Sequence, residues 1–206
     1  MSVRLGQIVP PRTDRILLAG QTGSGKTTLA RYLLNYRKYK IVADYKGKIG
    51  WEGYRVYTTI KKLTKASEPA LIYRPSYAES IDDDARNRFF EWVYRRGNTT
   101  LYVDETAAIT EGNTYPYYYG AILMRGRELN VELWSATQRP KDIPQIVLSE
   151  SEHVYCFRLR LEQDREKIER LAGIPREYIE ALQKRNFLYS PQDGEIVGPL
   201  SLQIAA

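Results

Sequence analysis

The segment Gly20-Gln21-Thr22-Gly23-Ser24-Gly25-Lys26-Thr27 constrains this chain more than any other feature. It matches G-x-x-x-x-G-K-[ST] in full, and a chance match in a chain of 206 residues has a probability on the order of one in a hundred at average glycine usage. Its flanks are the ones phosphate chemistry needs. Upstream, Arg15-Ile-Leu-Leu-Ala19 is a short apolar run, and downstream, Lys26 to Arg37 spaces Leu29, Leu33 and Tyr36 on one helical face. A strand, a glycine loop and a helix in that order turn successive backbone N–H groups toward one point and add the positive end of the helix, which suits a phosphate chain. Gly20 to Thr28 is then the nucleotide cradle, Lys26 bridges the outer phosphates, and Thr27 ligates magnesium. The competing reading is a glycine-rich turn with no ligand. The expectation is a chain that binds ATP with Mg2+.

Beyond the loop, strand patterns alternate with helical ones, as in a mostly parallel sheet with helices on both faces. The strand candidates are Lys40 to Asp44, Ala70 to Tyr73 (stopped by Pro75), Thr100 to Val103, Val131 to Thr137 and His153 to Leu159. Short helical segments are expected near Thr59 to Lys65, from about Tyr118 to Leu129, and from Glu162 to Ala172. The clearest helix opens on Asp82, Asp83 and Asp84, whose charges offset the positive helix terminus, and ends at Gly97; Ile81, Ala85, Phe89, Trp92 and Val93 are its core face. Asn186 to Tyr189 and Glu195 to Val197 read as a terminal hairpin across Asp193-Gly194. The length suits one α/β domain over 1–206, with 1–13 as an N-terminal extension and 185–200 as the hairpin region.

Hydrophobic residues at 43% and charged residues at 27% exclude a disordered or fibrous chain. No apolar run approaches the roughly 18 residues of a membrane span, and Met1-Ser-Val-Arg-Leu-Gly carries no signal-peptide core, so a soluble, cytoplasmic protein without a transmembrane segment is expected. The single Cys156 and single His153 read as ordinary strand residues rather than as a disulfide or a zinc site. A formal charge of +6 and seventeen tyrosines suit a polyanionic partner with bases to stack on, although both are also common on proteins that touch no nucleic acid.

Asp104 and Glu105 follow an apolar strand. Such a pair divides the hydrolytic work: Asp104 orients the magnesium shell, and Glu105, pointing differently, polarises the attacking water. The competing reading makes Asp104 a helix N-cap. Gln138 ends the strand Trp134-Ser-Ala-Thr137, where a side-chain amide can sense the γ-phosphate or the water. Together these residues fit a core with one strand inserted between the phosphate-loop strand and the acidic strand.

Ala136-Thr137-Gln138-Arg139-Pro140, preceded by Arg125-Gly126-Arg127 and Asp104-Glu105, resembles the FtsK/HerA superfamily of nucleic-acid-pumping ATPases, which includes the genome-packaging ATPases of tailless membrane-containing viruses. Asp44-Tyr45-Lys46-Gly47 resembles that family's Asp-Pro-Lys-Gly segment with Tyr45 in place of proline, and the likeness spans most of residues 14–175. The resemblance implies a RecA-like (ASCE) P-loop fold and a homo-oligomeric ring, usually a hexamer, in which an arginine reaches the neighbouring subunit's nucleotide. Arg127, eleven positions before Gln138, matches the family's finger arginine, with Arg125 in reserve and a plain surface role as the competing reading. It also implies a double-stranded DNA translocase, foremost a genome-packaging motor acting in host cytoplasm or virion beside a capsid or membrane vertex. A HerA-like cellular or plasmid ATPase for DNA processing or conjugation, a nucleotide-dependent switch, and a small-molecule kinase are the alternatives. Glu111 to Gly120 lies where such motors turn a loop toward the ring axis, so Tyr117, Tyr118 and nearby Arg125 are candidate nucleic-acid contacts; the competing reading packs these tyrosines between subunits or on the domain itself.

Overall fold

The structure, a computed structural model, describes residues 8–202. Its first half runs β1 (Ile16–Ala19), α1 (Lys26–Leu34), β2 (Lys40–Ala43), β3 (Arg55–Tyr57), α2 (Ile60–Leu63), β4 (Ala70–Tyr73), α3 (Tyr77–Ile81), α4 (Asp83–Arg96) and β5 (Thr99–Val103). The second half runs α5 (Tyr117–Arg125), β6 (Val131–Thr137), α6 (Gln145–Ser149), β7 (His153–Phe157), α7 (Glu162–Ala172), α8 (Arg176–Ala181), β8 (Asn186–Pro191) and β9 (Val197–Ser201).

Among the described residues these strands form one sheet in the order β3-β4-β2-β5-β6-β1-β7-β8-β9. All pairings up to β7 are parallel, and β8 and β9 are antiparallel. The inserted strand is β6: its Thr137 pairs with Ala19 of β1 and its Ser135 with Val103 of β5. Gly20, Asp104 and Gln138 therefore leave three adjacent strands at one end of the sheet. Parallel strands covered on both faces read as unbroken apolar runs, and β1, β4, β5, β6 and β7 are buried throughout. Leu17, Ile41, Leu101 and Leu133 meet Phe89, Val93, Tyr119 and Ile122 of α4 and α5 on one face. Ile16, Leu18, Val42 and Trp134 meet Leu29, Leu33 and Leu34 of α1 on the other, where Ile8 also packs. Arg37, buried behind α1, fastens the N-terminal segment: it donates to Glu132 Oε2 at 2.6 Å and to the Pro10 and Pro11 carbonyls at 2.8 and 3.1 Å.

Several expectations need correction. Ile81 is 61% exposed rather than core, because Asp82 caps α4 by accepting from the Asp84 and Ala85 amides and so ends the shorter α3 at Ile81. Tyr36 is 52% exposed, since α1 stops at Leu34. The helix expected to reach Leu129 stops at Arg125 and tightens to a 3-10 turn over Gly126–Leu129; a Cβ at Gly126 would lie 2.6 Å from the Val131 carbonyl oxygen, so only glycine lets the chain double back here. The second hairpin strand begins at Val197, later than expected. The three-residue edge strand β3 and the short helices α3, α6 and α8 carry too few residues for a periodicity to emerge. His153 and Cys156 both lie buried on β7; the imidazole sits 2.8 Å from Tyr189 Oη and 3.0 Å from Asp14 Oδ2, and burial pushes the Cys156 thiol pKa up. Among the described residues no helix is long and apolar enough to cross a membrane.

Candidate functional site

The loop after β1 closes because its glycines do what other residues cannot. Gly25 holds φ at 114°, and a Cβ at Gly20 would stand 2.5 Å from Phe157 Cβ. The turn delivers the chain to α1, which begins at Lys26 with no acidic residue in its own first turn. Lys26 is buried and folds back to donate to the Gly20 and Gln21 carbonyls at 2.6 and 3.1 Å. Burial pulls its pKa down from 10.5 to about 8, with Glu105 and Asp104 opposing the fall. The buried Ser24 hydroxyl has no hydrogen-bond partner among the described residues. A helix end with no acid of its own, a desolvated ammonium and an orphaned hydroxyl suit an anion.

Around the loop lies a cleft of about 430 Å³, lined also by Lys46, Lys48, Asp104, Gln138, Arg185 and Leu202; small-molecule sites commonly occupy roughly 300–1,000 Å³. Larger clefts, of about 720 Å³ beside Glu150 and Glu152 and about 890 Å³ between Asn113 and α7, lack a phosphate loop. Asp104 accepts from Thr27 Oγ1 at 2.8 Å and from Tyr102 Oη at 2.6 Å. Burial raises its pKa, and those two bonds hold it back. The N-cap reading fails, because this carboxylate bonds behind itself and the 3-10 turn over Thr106–Ala108 has no side-chain cap. The Thr27 hydroxyl beside the Asp104 carboxylate is an oxygen pair that fits a hard divalent cation. No group of three or more His, Cys, Asp or Glu able to hold a metal exists among the described residues, so phosphates and waters would have to complete a magnesium shell.

Glu105 is buried and tied at both oxygens: Oε2 accepts from Lys46 Nζ at 2.7 Å, and Oε1 accepts from the Gln138 amide at 3.2 Å. The Gln138 side chain in turn accepts from Thr22 Oγ1 at 2.5 Å. Lys46 reaches Glu105 because Asp44, fully buried, organises the turn after β2, accepting from the Lys48 and Ile49 amides at 3.1 and 3.0 Å and from Arg74 Nε at 3.0 Å. Gln138 is steadied from the far side, where buried Asp164 of α7 accepts from Arg139 Nε at 3.0 Å and from the Lys141 amide at 2.9 Å. Sequence reasoning assigned no role to Asp164 or Arg185 and met Lys46 only as part of a family segment. Asp-x-Lys-Gly after a strand was the available signal for Lys46; nothing in the pattern marks the other two.

The remaining candidates lie apart. Arg127 stands before β6, at the sheet end opposite the phosphate loop, ion-paired to Glu152 Oε1 at 2.7 Å and Asp14 Oδ1 at 3.4 Å. Tyr117 and Arg125 occupy opposite ends of α5, about 12 Å apart along its axis. The expected tyrosine loop is also shorter, since Tyr117 already opens the helix. Tyr117 is 75% exposed, whereas Tyr118 is half-buried with its ring 5.8 Å from that of Tyr94. Tyr119 is buried and shares a 2.9 Å hydrogen bond with Ser135.

No protein-family model matches the chain. It is 27% identical over 202 residues to DNA packaging ATPase P9 of Enterobacteria phage PRD1, a match covering 92% of this chain and 85% of that protein. It is 22% identical over 180 residues to Protein P9 of Pseudoalteromonas phage PM2, covering 80% and 82%. Among solved structures, the genome packaging NTPase B204 of Sulfolobus turreted icosahedral virus 2 in complex with sulfate superposes with a TM-score of 0.75 at 19% identity, over 93% of this chain and 98% of that one. The cytoplasmic domain of the Thermomonospora curvata Type VII secretion ATPase EccC superposes at 0.58 and 16% identity, over 89% of this chain and 24% of that one. By fold the chain is a RecA-like α/β P-loop NTPase, and by sequence it is similar to the genome-packaging ATPases of membrane-containing viruses.

Proposed function

We propose that this chain is an ATP-hydrolysing motor that drives double-stranded DNA into a viral shell as a ring of identical copies, in host cytoplasm or on the virion. The observation that carries the reading is the convergence of Lys26, Thr27, Asp104 and Gln138 on one cleft, with Glu105 buried directly behind it between Lys46 and the Gln138 backbone amide. The similarity to a DNA packaging ATPase over nearly the whole chain supports it independently.

In this reading the loop amides and Lys26 hold the β- and γ-phosphates, and Thr27 and Asp104 would hold Mg2+, which when bound would supply positive charge to offset that of the phosphates. Lys26 exchanges its two carbonyl partners for phosphate oxygens, which are far better acceptors for a buried cation. Glu105 takes a proton at a carboxylate oxygen from the attacking water, and the side-chain amide of Gln138 orients that water. For this Glu105 must release Lys46, and a γ-phosphate near Lys46 supplies the competing anion. Arg127 lies a strand's length from its own phosphate loop, so any nucleotide it meets belongs to another copy; Glu152 and Asp14 hold it until then. Tyr117, with its exposed ring, remains the candidate contact with DNA.

The test is ATP turnover with Mg2+, with and without double-stranded DNA, over a salt series, on material whose mass with ATP is known. DNA should stimulate turnover, and the stimulation should fade with salt as phosphate contacts weaken. Glu105→Gln should keep ATP binding and lose about 10²- to 10⁴-fold in rate. A Glu105→Gln protein as active as the wild type sinks the mechanism, and an assembled ring indifferent to DNA sinks the motor in favour of a nucleotide-dependent switch.

A further inference from the structure

The cleft has a second rim that hydrolysis does not use. Asp104 and Gln138 leave β5 and β6 on one flank of β1, and β7, β8 and β9 lie on the other. Arg185 immediately precedes β8 and Leu202 follows β9, and both line the same cleft as the phosphate loop. The Leu202 amide reaches the Arg185 carbonyl at 3.5 Å, so the open end of the terminal hairpin is closed by the pair itself. Leu202 lies against the loop: a Cβ at Gly25 would stand 3.1 Å from Leu202 Cδ1. Arg185 sits at φ 67°, a left-handed conformation that disfavours side chains, and it is exposed with no side-chain partner among the described residues. A strained backbone beneath an unengaged guanidinium, in a cleft built for a ligand, points to a contact made with that ligand.

We infer that Arg185 and Leu202 form the base-side wall of the nucleotide cleft, Arg185 laying its guanidinium on the face of the purine and Leu202 closing the ribose edge. The inference rests on the nucleotide reading of the phosphate loop. With the outer phosphates at Lys26, Asp104 and Gln138, and the inner one beside Thr28, the sugar and base must leave the loop away from β5 and β6. That direction leads to the hairpin. A base is favoured over a phosphate as the partner because Lys26, Lys46, Lys48 and the loop amides already serve the phosphates, whereas a planar cation beside an apolar side chain matches an aromatic ring.

The experiment is calorimetric binding of ATP and of inorganic tripolyphosphate, each with Mg2+, to the full chain and to Arg185→Gly, Arg185→Lys, Leu202→Ala and Lys26→Ala. Arg185→Gly is the main probe, because glycine accepts φ 67° without strain and the variant should fold at least as well as the parent. The expectation is about a tenfold loss of ATP affinity with unchanged tripolyphosphate affinity. Arg185→Lys should recover only part of it, since an ammonium does not stack, and Leu202→Ala should also weaken ATP alone. Equal losses for both ligands would assign Arg185 to a phosphate and overturn the inference, as would an unchanged ATP affinity. If the wild-type chain binds neither ligand, or Lys26→Ala binds both as well as the wild type, the nucleotide reading itself fails.

Discussion

Replacing Lys26 with methionine removes a cation that the ligand-free chain holds at a loss. Its pKa falls from 10.5 to about 8, chiefly through burial. At about 1.4 kcal/mol per pH unit, keeping the ammonium charged at pH 7 costs roughly 3 kcal/mol of folding stability. Methionine forfeits the two hydrogen bonds to the Gly20 and Gln21 carbonyls, each worth roughly 1 kcal/mol net, so Lys26→Met should be more stable than the wild type by about 1 to 2 kcal/mol at pH 7. Between pH 8 and 10.5 the unfolded chain carries this proton and the folded chain does not. Wild-type stability must therefore rise relative to the variant as pH climbs through that window, and the difference levels off above it. Urea unfolding of both proteins in parallel, from pH 6.5 to about 11, isolates Lys26 because every other titrating group cancels to first order. ATP with Mg2+ should raise the Tm of the wild type and leave that of the variant unmoved. A wild type more stable than the variant by several kcal/mol at pH 7, or a difference moving the opposite way across the window, would refute the reasoning.

Arg127→Ala should bind ATP normally and lose hydrolysis, by about 10³-fold or more, and mixing it with Glu105→Gln subunits should restore some turnover through composite sites; no recovery in well-mixed rings removes the role in trans. Lys46→Ala frees one oxygen of Glu105 and removes a cation from the phosphate cleft, so DNA-independent turnover at saturating ATP should rise several-fold while ATP affinity falls, and steady-state kinetics would expose a fall in turnover instead. Glu132→Gln strands the buried Arg37 charge and loosens the Pro10–Pro11 segment, which should cost about 3 to 5 kcal/mol in urea unfolding without altering ATP affinity. Tyr117→Ala should lower DNA-stimulated turnover more than basal turnover, and an equal fall in both would count against a DNA contact.

Legibility followed how local each signal was. The phosphate loop needs an apolar strand, three glycines and a helix start in succession, and all of it lies within Arg15 to Leu34. The parallel strands were readable for a related reason, since burial on both faces leaves no polar position to blur an apolar run. Element ends were harder, because they depend on contacts distant in sequence: Gly126 turns where it does on account of the Val131 carbonyl, and Ile81 is exposed because Asp82 chose to cap the next helix. The supports of the site were least visible. Asp164 holds Arg139 from 25 residues away, and Arg185 lines the same cleft as the phosphate loop only because two antiparallel strands extend a parallel sheet. Neither relation leaves a trace in spacing or composition.

The inserted strand has one more consequence. Gln138 follows the last residue of β6, and Arg127 stands four positions before its first. The strand's seven residues, at about 3.3 Å each, make a rod of about 23 Å hydrogen-bonded to β5 on one side and β1 on the other. In a ring, the far end of that rod would face the next copy's triphosphate. A shift of Gln138 as its own γ-phosphate departs would then be carried along a single stiff strand to the arginine serving the neighbour. In the ring proposed above, the timing between adjacent subunits is then set inside one strand, without a lever arm.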